Sequence, residues 1–105
     1  MSGLVQVNKL ISPVSFDVES TGLSTFHGDR PYALSFCDRE GQQAFFRARH
    51  IDPFSRVVTW GNEDLEQIRY VLESPRFTKV GWNLPFDRRM MASVGVKTIG
   101  PKKEA

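Results

Sequence analysis

Two carboxylates, Asp17 and Glu19, sit two positions apart in "PVSFDVESTGL", where the alternate residues Val14, Phe16 and Val18 are apolar. Such alternation marks a half-buried strand, so Asp17 and Glu19 project side by side from its polar face. Like charges that close repel, and one of them shifts its pKa upward unless a cation lies between. Magnesium or manganese is the natural cation, being hard, oxygen-seeking and able to share carboxylates with substrate phosphates. For a D-x-E triplet alone, the alternative is the solvent face of an edge strand. Two further features argue for more. Thr21 and Gly22 form a turn whose backbone N–H groups are expected to be free for an anionic ligand. Later, "VGWNLPFD" places Asn83 and Asp87 at the start of a helix, which offers a third carboxylate. Asp87 there also complements the helix dipole, and Asn83 serves as an N-cap, a substrate contact or both.

The elements that must position these groups can be read from pattern. "RPYALSFC" and "QQAFFRAR" are strands joined by the turn "DREGQ", giving an antiparallel meander with the Asp17 strand. A glycine- and proline-marked loop, "STFHGDRP", separates the first two strands. "NEDLEQIRYVLESP" predicts a helix with Asn62 as N-cap, an apolar stripe of Leu65, Ile68, Val71 and Leu72, and Pro75 as its stop. "FTKVGW" is a short fourth strand. "LPFDRRMMASVG" is a second helix, with Pro85 in its first turn, Phe86, Met90 and Val94 on one face, and Gly95 ending it. This is an α/β layer fold. A right-handed crossover makes strand four parallel to strand one and brings the Asp87 helix beside Asp17.

Composition sets the limits. The chain has 105 residues, enough for one domain, and 14 Lys and Arg against 12 Asp and Glu leave a charge of +2. A global electrostatic case for nucleic-acid binding is therefore absent, and any such case must be local. The single cysteine, Cys37, suits a reducing compartment, and no apolar run or leader suggests a membrane, so a cytoplasmic location is expected, in a bacterium or a phage-infected host. Residues 1–96 are expected to form the domain, and 97–105 a polar tail.

"FDVESTGL" resembles the first motif, and "VGWNLPFD" the second motif (N-x-x-F-D), of the DEDD 3′-to-5′ exonucleases with a ribonuclease-H-like fold. The "FHGDRP" that follows the first motif is similar to the proofreading domains of family A DNA polymerases, particularly phage-type ones. The resemblance covers about Pro13 to Val96 and implies a set of roles. Asp17 matches the acid that bridges two Mg²⁺ or Mn²⁺ ions, Glu19 a ligand of the ion that activates water, and Asp87 a support of the second ion. Such ions, about 3.5–4 Å apart, stabilise both oxygens of an in-line phosphoryl displacement. Thr21, Gly22 and Leu23 match the segment that receives the terminal nucleotide, and Asn83 a polar residue near the strand. Trp82 and Phe86 fit core or rim packing better than base stacking.

One departure from that family matters. Its third motif, with a fourth carboxylate and a Tyr or His base, has no match in "RRMMASVGVKTIGPKKEA", which holds no Asp, Tyr or His and only Glu104 as an acid. His27 and His50 come earlier and fit surface positions better than a base. The expectation is an incomplete ribonuclease-H-like domain: three antiparallel strands, a fourth parallel to the first, and two helices. By resemblance it is a proofreading-type exonuclease acting on single-stranded DNA 3′ ends, an N-terminal part lacking the third motif. A polymerase domain, or a complementary chain carrying that motif, would be its partner. The alternative is a non-catalytic nucleic-acid-binding or partner subunit of the same ancestry.

Overall fold

The structure, a computed structural model, describes residues 4–104. Strand β1 (Val14–Ser20) is the axis of a five-stranded sheet. It pairs antiparallel with β2 (Pro31–Asp38), Phe16 opposite Phe36 and Val18 opposite Leu34, and β2 pairs antiparallel with β3 (Gln43–Arg47). This is the expected meander. Asp38 closes its second turn: its carboxylate accepts the N–H groups of Glu40 and Gln42, the Gln42 amide, and the Ile11 N–H from the N-terminal segment, each within 2.9 Å. Burial raises its pKa, but these bonds outweigh it and hold the group below the usual carboxylate value.

Beyond β3 the chain makes a two-stranded antiparallel ribbon, β4 (His50–Ile51) and β5 (Val58–Thr59), which the apolar pattern had not suggested. Helix α1 (Asn62–Leu72) follows. Gly61, not Asn62, is its N-cap, because the Gly61 carbonyl already accepts the Leu65 N–H. Ile68, Val71 and Leu72 are fully buried, as their spacing required. Strand β6 (Lys79–Gly81) runs parallel to β1, Val14 opposite Lys79, and leads into helix α2 (Leu84–Ala92). Gly95, at φ 84°, ends α2: its N–H reaches the Ala92 carbonyl and the Val96 N–H the Met91 carbonyl.

The expected polar tail is different in kind. Lys102–Glu104 form β7, parallel to β6, with Gly81 opposite Glu104. Exposed polar residues join a sheet when the neighbouring edge offers unpaired backbone groups, and composition carries no trace of that. Lys79 helps to hold the segment: its buried amine donates to the Ser74 and Ile99 carbonyls, tying the end of α1 to the approach to β7. Burial, with the Lys102 charge nearby, brings that amine down to about 8.

Val14, Phe16 and Val18 face one core with Leu34, Phe36, Phe46, Ile68, Val71, Leu84, Met90 and Met91, so both helices pack on the same side of the sheet. Ser15, Asp17 and Glu19 face the other side. No helix among the described residues is long and apolar enough to cross a membrane.

Candidate active site

Asp17 and Glu19 are exposed on one face of β1, where alternation put them. Asp17 borders a hollow of about 220 Å³ with Ser15, Ser35, Cys37, Val80 and Trp82. Trp82 is 84 % exposed, so it is a rim residue, while Phe86 is half-buried against the core.

Asp87 arrives from another element altogether. The β6 strand ends at Gly81, the chain turns, and α2 begins at Leu84 with Pro85 in its first turn. Gly81 must be small for this approach, since a Cβ there would lie 2.9 Å from Leu84 Cδ2 and 3.5 Å from Asp87 Oδ2. Asp87 is only 5 % exposed. Burial pushes its carboxyl up to about 6, the Asp17 and Glu104 charges add to that, and the Val18 backbone N–H pulls the other way. Asp17 and Asp87 are therefore electrostatic neighbours, although 70 positions separate them in sequence.

Asn83 occupies the N-cap position, and its carbonyl accepts the Asp87 N–H at 3.0 Å, but its exposed side chain makes no capping bond. Glu104 does that work instead: its Oε1 accepts the Leu84 N–H at 3.1 Å. Sequence reasoning left this acid in a tail. The signal that finds it is the parallel pairing of β7 with β6, which delivers residue 104 to the end of the sheet where α2 begins.

The loop after β1 is more constrained than its glycine suggested. The Thr21 N–H is not free; it donates to the Arg30 carbonyl at 3.0 Å, continuing the β1–β2 ladder past a bulge at Glu19 and Ser20. Among the described residues, the N–H groups of Gly22 and Leu23 have no protein acceptor. The Asp29 carboxylate underlies the loop, accepting the Ser24 N–H at 3.1 Å and the Thr21 hydroxyl at 3.3 Å. A Cβ on Gly22 would meet that carboxylate at 2.4 Å. Leu23 projects outward, 81 % exposed.

Among the described residues, no three acidic, histidine or cysteine side chains converge closely enough to enclose a metal ion. The donor set still fits a hard divalent cation, because the Asp17 charge makes Asp87 harder to ionise and a cation beside both relieves that. His27 lies in a short helical turn and His50 in the β4–β5 ribbon, and both are exposed.

A model of the 3′-5′ exonuclease family matches residues 2–101. No curated protein matches. Among solved structures, Brucella melitensis NrnC is 18 % identical with a TM-score of 0.67, over 92 % of this chain and 42 % of that one. NrnC with bound Mg²⁺ gives 18 % and 0.66, over 90 % and 41 %, and a structure described as the apo form of the nuclease gives 18 % and 0.66, over 89 % and 40 %. The chain thus spans about two fifths of the length of these structures, and at this identity they speak for the fold.

Proposed function

The chain belongs to the 3′-5′ exonuclease family, with the ribonuclease-H-like fold of a hydrolytic nuclease, and from that premise we propose that it is the strand-end-binding part of a metal-dependent exonuclease. Its substrate is the 3′ end of single-stranded DNA, in the manner of a proofreading domain. The observation that carries this reading is the delivery of Asp87, by a strand and a helix turn, to the neighbourhood of Asp17.

Asp17, Glu19 and Asp87 would hold Mg²⁺ or Mn²⁺. Such ions, when bound, supply charge stabilisation for the entering and departing oxygens of phosphodiester hydrolysis. The chain's own residues do the positioning. Gly22 and Leu23 present free N–H groups to the sugar and phosphate of the last nucleotide, Leu23 offers its side chain to the base, and Thr21 fixes the loop. The Asn83 side chain, which makes no capping bond at the helix start, is free to meet the strand. A second reading, a strand-end binder that does not cut, is favoured by one observation: the described residues bring no three such side chains within ligating range.

Calorimetric titration with Mn²⁺ tests the site. Three acids without a fourth should bind in the millimolar range or somewhat tighter, and Asp17→Ala should abolish the heat. Equal heats from wild type and Asp17→Ala would remove the assignment.

A further inference from the structure

The ribbon formed by β4 and β5 plays no part in the roles above, yet its turn is closed by hydrogen bonds and the apolar side chains Phe54 and Val57 at its tip are bare. Asp52 organises the turn: Oδ1 accepts the N–H groups of Phe54 at 2.8 Å and Ser55 at 3.1 Å, and the Asp52 carbonyl accepts the Arg56 N–H at 2.8 Å. This closed turn holds Phe54 in solvent, 95 % exposed. On the loop after β1, Phe26 is 92 % exposed and sits edge-on to His27. A large apolar ring fixed in water forgoes the stabilisation of burial, and a pair of them on neighbouring loops marks a surface meant to be covered.

Arg56 joins the two loops. It adopts φ 63°, a left-handed conformation that costs a residue with a Cβ, and from there its guanidinium donates to the Thr21 carbonyl and lies 3.5 Å from the Asp29 carboxylate. Thr21 and Asp29 are the groups that shape the Gly22–Leu23 loop. The strained arginine therefore locks the ribbon to the strand-end loop. Local charge agrees: residues 47–56 carry three arginines and one aspartate in a chain of net charge +2.

We propose that the β4–β5 ribbon and the adjoining loop after β1 form a nucleic-acid-binding arm, in which Phe54 of the ribbon tip and Phe26 of that loop stack against bases upstream of the 3′ end and Arg56 ties the ribbon to the loop that receives that end. The occupant is single-stranded DNA, because exposed rings suit unpaired bases, because Arg47 and Arg49, exposed on the chain leading into the ribbon, suit a phosphate backbone, and because the arm is continuous with the strand-end loop. The proposal rests on the exonuclease reading of residues 21–23.

The test is binding of 5′-labelled dT8 and dT2 in Ca²⁺, followed by fluorescence anisotropy. Phe54→Ala and Phe26→Ala, both at exposed positions, should keep the wild-type melting temperature and each weaken dT8 about 5- to 20-fold, leaving dT2 unchanged. Arg56→Gly suits the left-handed backbone, so it should keep the fold yet weaken both oligonucleotides. Unchanged dT8 binding in both Phe variants overturns the arm, as do equal losses for dT2 and dT8, or a wild type that binds dT8 no better than dT2. A dimer that Phe54→Ala dissociates, with dT8 binding unaltered, assigns the surface to a second copy and overturns it as well. If the arm fails while Mn²⁺ binding through Asp17 holds, the exonuclease reading survives without it.

Discussion

Asp87 is where the burial of one carboxyl becomes measurable. Its folded pKa of about 6 lies above the 3.8 of an unperturbed aspartate, so between those values the folded chain holds more protons than the unfolded one. Stability without metal is therefore greatest below about pH 4 as far as this group is concerned, and falls as pH rises towards 6. The full effect is on the order of 1–3 kcal/mol. Denaturant titrations in chelator should show that fall, and Asp87→Asn should remove it, leaving the variant more stable than wild type at pH 7. Mn²⁺ should stabilise the wild type increasingly as pH rises through 6 and should do little for Asp87→Asn. A variant less stable than wild type at pH 7 in chelator would make Asp87 a structural acceptor. The placement of these candidate residues was legible at the residue scale, because strand alternation sets Asp17 and Glu19 on one face, and a proline-marked helix start carries Asp87 in its first turn. Lys79 was not legible: in "TKVG" the pattern does not say that the lysine turns inward and finds two carbonyls while Val80 turns to the Asp17 side.

At the scale of elements, α2 depends on a cap from outside its own sequence. Asn83 holds the N-cap position without a capping bond, and the Leu84 N–H is satisfied by Glu104 across the β6–β7 pair. Glu104→Ala leaves that donor unmet and should cost about 0.5–2 kcal/mol, read as a lower melting temperature. Glu104→Gln keeps an acceptor oxygen and should stay within about 0.5 kcal/mol of wild type. Both remove a negative charge near Asp87, so both should lower the Asp87 titration midpoint in a carboxyl NMR titration. Equal melting of wild type and Glu104→Ala would show that the cap contributes nothing. The strands with apolar alternation and both helices could be read ahead of the structure. Strand β7 and the β4–β5 ribbon could not, because such short, exposed segments are made strands by their partners rather than by their own side chains.

The whole molecule has two unlike faces. Both helices cover the face of Phe16 and Val18, and neither packs on the face that carries Asp17, where Phe45 is exposed and Trp82 stands almost free. The flank of α2 is a mixed surface, where Pro85, Ala92 and Ile99 lie among Arg88, Arg89 and Lys97, so an added element meets apolar groups both there and on the open sheet face. That arrangement predicts a slow nuclease that can be rescued. Residues 88–105 hold no Asp, Tyr or His, and absence of a positioned base alone lowers rate by about 10² to 10⁴. Trimming of 3′-labelled single-stranded DNA by the chain alone should accordingly be feeble. Addition of a separately expressed segment carrying the third motif of a polymerase-type exonuclease should restore it, in a manner that requires Asp17 and Mg²⁺. Rescue has a second readout, because covering the Asp17 face buries Trp82 and shifts its emission to the blue, whereas Trp60 is already buried and holds the Pro31 carbonyl at 2.9 Å. Rapid, Asp17-dependent trimming by the unaided chain would show that its acids suffice. Failure of both trimming and the emission shift would mean that the open face does not receive a segment of this kind.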